Sequence, residues 1–512
     1  MVIYRKSNII MSTMTEWLQA NIVRLGELNS VEEKKNILSD VKIKLGSLNN
    51  RESEQISRNV DLGQLFTQLN SNNREFVDQV CDILKTLFGI FKAGEVYQRY
   101  STEISQLITH PSSAVKSLAL NEILCIVSNP QKIFLLLTDV SLLVAIINRI
   151  GDDDLIVAKS AMSIMCIIGN DSKGLQILYK GELLQNFARL LVKNDTTSFR
   201  IYEVVVDVAK SSKEGLEASA QSGFLTSLIN ILDSEDVLLQ VNALELLTQL
   251  ALTEEGLRFL EQQGVLRSLV QKIEHEVPLL NLLIPGLMKF FGNVAHYWPH
   301  EIFSKYPVVV SELFKVIEFP ENETILGVAL DTLGHISMSV EGKYALQALG
   351  HEMQLILPII AAVIQKMPPA VKIHGLNCLA QILDVQKVEQ DNRILSLTKS
   401  WFDYLGDDPL GMIVAICTHQ FADIRQAGLK VLEVLASQVW GQEYISTRLG
   451  FIEFLLHTNE SFKECKEAKY EVIRRLTEAE PNIFPAYIME KFTEFVSGRS
   501  HLQVTDVAVE RL

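Results

Sequence analysis

The segment TEEGLRFLEQQGVL, Thr253–Leu266, decides how the whole chain is read. Leu257, Phe259 and Leu260 spell a short amphipathic helix. Yet Gly256 and Gly264 stand at its two ends, eight residues apart. Inside a helix, glycine costs about 1 kcal/mol relative to alanine. At a helix end it reaches backbone conformations that other residues avoid. The same bracket recurs at Gly215/Gly223, at Gly342/Gly350 and, one residue shorter, at Gly174/Gly181. Gly174, Gly215, Gly256 and Gly342 stand 41, 41 and 86 residues apart, and within the last interval Pro299 and Pro307 are again spaced by eight.

A fixed period of roughly 42 residues marks a helical solenoid. Each unit reads as a short first helix between the glycines, a second helix such as VLRSLVQKIE, and a polar turn leading to a long third helix such as VLLQVNALELLTQLAL. The turns GDDD, KNDT and DSED are acidic, which suits helix N-caps and the positive end of the helix dipole. Weaker copies appear in Ser113–Ser128, Ala370–Leu383 and Ala422–Leu456. The expected fold is all-α, a right-handed α-α superhelix of armadillo/HEAT type with roughly ten repeats. Residues 1–13 read as a disordered extension, with Met11 and Met14 as alternative starts. Residues 14–110 read as an N-terminal helical cap with divergent repeats, 111–460 as the repeat array and 461–512 as a C-terminal cap and tail. The pattern predicts one continuous body.

Bulk properties agree with a globular protein. The 512 residues are 48% hydrophobic and 21% charged, and the net charge is -15. That charge disfavours nucleic acid and anionic membrane surfaces as partners. The six cysteines form no CxxC pair, so they read as structural thiols in a reducing compartment. No signal peptide is visible, and the most apolar runs are shorter than the about 20 residues that span a bilayer. The expected location is the cytoplasm, with the nucleus as an alternative, and the expected state in isolation is a monomer.

The repeat resembles the armadillo unit, in which the third helix lines a concave groove and carries a ladder of polar residues. FFGNVA places Asn293 on that ladder. Counting by repeats adds Cys166, Asp207, Gln249 and His335, and one turn earlier Met162, Glu203, Glu245, Lys289 and Asp331. Arg200 and Asn242 lie a further turn back. The stripe Arg200, Glu203, Asp207, Asn242, Glu245, Gln249, Lys289, Asn293, Asp331 and His335 is the candidate partner-binding groove. The alternative is a solvated helix face. The stripe lacks the tryptophan and asparagine arrays of importin-type armadillo proteins, which puts carriage of nuclear signals in doubt.

No catalytic constellation accompanies this surface. GxxxxGK[ST], HExxH and GxSxG are absent from the chain. His296 and His300 are four apart, but Pro299 breaks the helix that would align them. Asp152–Asp154 read as caps rather than metal ligands, and the aspartates of GDDPLG as caps rather than a carboxylate pair. No cofactor is expected.

Longer segments carry a closer resemblance. LLIPGLMKFFGNVAHYWPHEIFSKYPVVVSELFKVIE (Leu282–Glu318), ETILGVALDTLGHISMSVEGKYALQALG (Glu323–Gly350) and SWFDYLGDDPLGMIVAICTHQFADIRQAGLKVLEVLASQVW (Ser400–Trp440) resemble the family of the 26S proteasome non-ATPase regulatory subunit 5. DLGQLFTQLNSNNRE (Asp61–Glu75) and KEAKYEVIRRL (Lys466–Leu476) extend the likeness toward both ends. The resemblance implies a non-catalytic chaperone for assembly of the proteasome regulatory base. It would hold ATPase regulatory subunit 7 in a precursor with ATPase regulatory subunit 4 and non-ATPase regulatory subunit 2, and leave before the particle matures. The alternative is a generic armadillo scaffold or transport adaptor.

Overall fold

The computed structural model describes residues 14–274, 280–457 and 462–509; the expected N-terminal extension, 1–13, lies outside them. The described residues form an all-α solenoid without a strand. The chain divides at Ile231/Leu232 into two compact units.

The opening segment shows how one repeat joins the next. Thr253 caps the helix Glu254–Gln262, its hydroxyl accepting the Gly256 N–H at 3.2 Å. A Cβ on Gly256 would lie 2.0 Å from the Leu250 carbonyl oxygen, at the end of the preceding third helix. Gly256 is therefore required by close backbone approach. Gly264 serves a different need: its φ is 74°, and a side chain there would meet nothing within 4 Å. It makes the left-handed turn into Val265–Glu274. Only the second glycine of the bracket marks a helix end. The first sits in the third helical position, beneath a cap supplied by Asp171, Ser212, Thr253 or Ser339. These caps fix a sharp corner; Leu155–Asn170 meets Ser172–Leu178 at 111°. Pro299 and Pro307 punctuate from the other side, each opening a helix in its first turn, where a missing N–H is harmless.

In the first unit the long helices Arg74–Phe88, Ser113–Val127, Leu155–Asn170 and Asp195–Ser211 pack each against the next. A second layer pairs Glu95–Ile108 with Val140–Ile150, and Val140–Ile150 with Gly181–Leu191. In the second unit the same stacking runs through Val237–Ala251, Leu280–Tyr297, Glu323–Ile336, Pro369–Leu383, Ala422–Ala436 and Lys463–Leu476. Its outer layer contains Val265–Glu274, Pro307–Glu318 and His351–Lys366, packed in that order.

Burial follows the helical period expected from the sequence. In Glu323–Ile336, Leu326, Ala329, Leu330 and Leu333 are fully buried while Asp331 is exposed. Each buried leucine contributes about 1.5–3 kcal/mol over an exposed one. No single described helix is long and apolar enough to cross a membrane. Cys81, Cys378, Cys417 and Cys465 are buried as thiols, Cys166 is half-buried and Cys125 is exposed.

Candidate functional site on the third helices

Burial puts the ladder in register. Glu203, Glu245, Lys289 and Asp331 are exposed at one equivalent position of their third helices. Asp207, Gln249, Asn293 and His335, one turn on, are half-buried. Leu155–Asn170 departs from the expected register by one residue: Ser163 is exposed there, Met162 is buried, and Ile167 stands where Cys166 was expected. The reason is the connection before the next helix. The caps Asp154 and Asn194 are 40 residues apart, one fewer than the repeat count assumed.

Several stripe residues are committed internally. In the first unit, Arg200 donates to the carbonyls of Ile150 at 3.0 Å and Asp152 at 2.8 Å, so it ties a helix end rather than presenting charge. The side chain of Asp152, in the acidic turn, is only 7% exposed and accepts from Lys116 at 2.9 and 2.7 Å. Its neighbour Asp154 caps the next helix through Ile156 and Val157 N–H. Asp207 pairs with Lys210 at 3.0 Å, while Glu203 is exposed.

In the second unit, Asn242, Glu245 and Lys289 are exposed and Gln249 is half-buried. The Asn293 amide donates back to Lys289 O at 2.7 Å within its own helix. Asp331 accepts from His374 Nδ1 at 2.8 Å, linking two successive third helices. His335 stacks on His296, ring centroids 4.2 Å apart, and its own carbonyl accepts from His296 Nδ1 at 2.8 Å. Burial, and then the neighbouring His296, hold the His335 imidazole below its ordinary range, so it stays neutral at pH 7. His300 lies on the next helix, Pro299–Lys305. Among the described residues no group of three or more His, Cys, Asp or Glu side chains is arranged to hold a metal ion.

The ladder continues where the sequence pattern faded. Asn377 and Gln381 on Pro369–Leu383, Lys430 on Ala422–Ala436, and Glu471 and Arg475 on Lys463–Leu476 occupy the same register. These three helices line an open groove of about 780 Å³. Asp423, Glu433, Glu464, Glu467 and Glu471 line it against one base, Lys430. Glu433 is partly neutralised by Lys430 at 2.8 Å and Arg475 at 3.6 Å, and Glu471 by Arg474 at 2.7 Å. Glu464 is exposed, and Glu467 has only Lys463 at 3.9 Å. The segment KECKEAKYEVIRRL carried the signal, a helix with an acidic residue on every turn, but no glycine bracket follows it to reveal a ladder helix.

Comparison with known proteins places these features. Residues 14–511 match the family model described as proteasome non-ATPase 26S subunit. The 26S proteasome non-ATPase regulatory subunit 5 of Homo sapiens is 32% identical over 429 residues, covering 83% of this chain and 85% of the relative. Its Drosophila melanogaster counterpart is 28% identical over 342 residues, 65% of this chain and 66% of the relative. Among solved structures, Kap121p bound to Nup53p superposes with a TM-score of 0.53 at 15% identity, over 92% of this chain and 48% of that one. Kap121p bound to Pho4p gives 0.54 at 14% identity, over 96% and 50%. At such identities the likeness is one of fold.

Proposed function

We propose a function from one premise: the chain belongs to the proteasome non-ATPase 26S subunit family. It acts as a non-catalytic chaperone in assembly of the proteasome regulatory base. It binds ATPase regulatory subunit 7 in a precursor with ATPase regulatory subunit 4 and non-ATPase regulatory subunit 2, and leaves before the particle is complete. The family match over residues 14–511 carries this reading. The cytoplasm and the nucleus are where such a precursor would be met.

The ladder face of the second unit supports it physically. Exposed carboxylates at Glu245, Glu464 and Glu467 give a helix surface that favours basic segments, through steering and partner selection more than raw affinity. A rigid stack of helices holding an ATPase small domain would block its premature docking. Release follows when completed ring contacts favour a conformation that the groove binds less well, since only differential affinity shifts such an equilibrium.

Affinity purification of the tagged protein at moderate salt, followed by native mass spectrometry, tests the assignment. ATPase subunits 7 and 4 with non-ATPase subunit 2, free of core particle, are the expected co-purifying species. Reproducible recovery of another partner without proteasome subunits would remove the assignment. Combined Glu245→Lys, Glu464→Lys and Glu467→Lys substitution should abolish recovery of ATPase subunit 7 while leaving the helical circular dichroism unchanged. Intact recovery by the folded variant would move the site off this face.

A further inference from the structure

Lys343 lies on the short helix Val340–Ala348, immediately after Gly342, and has 0% of its surface exposed. Its ammonium donates to the carbonyls of Ser337 and Gln381, the latter at 3.0 Å. Ser337 caps the C-terminus of Glu323–Ile336, and Gln381 sits in the last turn of Pro369–Leu383. One buried cation therefore bridges the negative ends of two successive third helices. The helices come within backbone distance beside it, since a Cβ on Gly334 would lie 3.2 Å from the Cys378 Cα.

The chain repeats this arrangement with an uncharged side chain. Gln442 follows Gly441 as Lys343 follows Gly342. Its amide donates to Ala436 O at 3.0 Å, six residues back, as Lys343 does to Ser337, and its oxygen accepts the Glu480 N–H at 3.2 Å. The equivalent joint is thus made without a charge, by one donated and one accepted hydrogen bond.

We propose that the joint between Glu323–Ile336 and Pro369–Leu383 is a pH-responsive element, in which Lys343 sheds its proton inside the fold and still bridges both carbonyls. A neutral amine keeps two N–H donors, one for each carbonyl, so the joint survives deprotonation and is relieved of a buried charge. Burial pulls the ammonium down from its ordinary value to about 7, while Asp384 and Glu389 on the following connection act in the opposite sense. Asp331 pairs with His374, His335 stacks on His296, Lys305 pairs with Glu301 on Pro299–Lys305, Cys378 is a buried thiol held above its ordinary range by burial, and Glu341 is exposed on the same short helix. In the unfolded chain the lysine keeps its proton to about pH 10.5. Above neutrality the open form therefore binds one proton more than the closed form, and the joint tightens as pH rises. Because this joint sets the spacing between the Asp331/His335 and Asn377/Gln381 rungs, the ladder face answers to the same titration.

Hydrogen exchange read by mass spectrometry on the full chain from pH 6 to 8.5, corrected for intrinsic exchange rates, tests this. Peptides from Pro369–Leu383 should gain protection with pH, by up to about tenfold per pH unit above neutrality. Peptides at the Gln442 joint should show no such gain and serve as the reference within the same molecule. Lys343→Gln should abolish the gain at the first joint; if that variant fails to fold, the wild-type contrast between the two joints still decides. Equal pH dependence at both joints, or none at either, would overturn the proposal.

Discussion

The unit ending at Ile231 buries an acid where the unit beginning at Leu232 buries a base. Glu122, on Ser113–Val127, is 6% exposed, and one of its carboxylate oxygens has no partner. It occupies the register filled by Ile164 and Val204 in the same unit and by Leu246, Phe290, Thr332, Cys378, Val431 and Val472 in the other, all buried and uncharged. Burial alone raises it to about 7. Lys343 is buried more deeply and donates to two carbonyls, and burial lowers it to about 7. The pH responses have opposite signs. Between about 4.5 and 7 the folded first unit holds a proton that the unfolded chain has lost, so its stability falls as pH rises through that window. Between about 7 and 10.5 the unfolded chain holds the extra proton at Lys343, so the second unit gains stability as pH rises. The lesson is that the repeat can bury a charge at two different positions, on a third helix at Glu122 and on a first helix at Lys343, and the neighbouring groups decide how each responds.

The largest expected effect comes from crowding the Lys343 joint. A Cβ on Gly342 would lie 2.0 Å from the Ile336 carbonyl oxygen, a backbone clash that side-chain rotation cannot relieve. Gly342→Ala should destabilise by about 3 kcal/mol or more in urea denaturation and erase the pH gain at Lys343. A near-neutral result would mean that the joint is compliant and the comparison fails. Next is Lys116→Ala, which leaves the Asp152 carboxylate, 7% exposed, with Arg149 at 3.3 Å and the Asp154 N–H at 3.1 Å. A loss of about 3 kcal/mol is expected in the same assay, since breaking a buried pair strands a charge. Glu122→Gln should stabilise by about 2 kcal/mol at pH 8 and by little at pH 4.5, flattening the acid-to-neutral slope in thermal melts. An unchanged slope would show that Glu122 is not the group that titrates. The smallest effect is expected for Lys463→Ala. Its partner Glu467 lies 3.9 Å away and both are exposed, so the change should stay under about 0.5 kcal/mol and mark the baseline for exposed charges.

Much of this fold was legible in advance. The Gly256/Gly264 spacing, the helix VLRSLVQKIE and the caps at the acidic turns reappear in the structure at the expected residues. Local chemistry carries those signals: caps and left-handed turns act within a few residues of chain. The register of Met162 and Cys166 was missed because one shorter connection rotates a helix by about 100°, a change that a repeat count does not register. Arg200 looked like a ladder cation, but which carbonyls a long side chain reaches depends on the neighbouring repeat. Glu464 and Glu467 escaped notice because no bracket marks their helix as a rung.

The sequence by itself determined the helical class, the period and most of the helix caps. These follow from propensity, capping and apolar spacing, all of which act along the chain. Only the tertiary structure decided which outward charges are spent. Arg200 and Asp331 are hydrogen-bonded to groups 48 and 43 residues away, Asn293 folds back on its own helix, and Lys343 finds two carbonyls in different repeats. The physical reason is that hydrogen bonds and ion pairs reach only about 3–4 Å, so a polar side chain's role is settled by what packing brings within that distance.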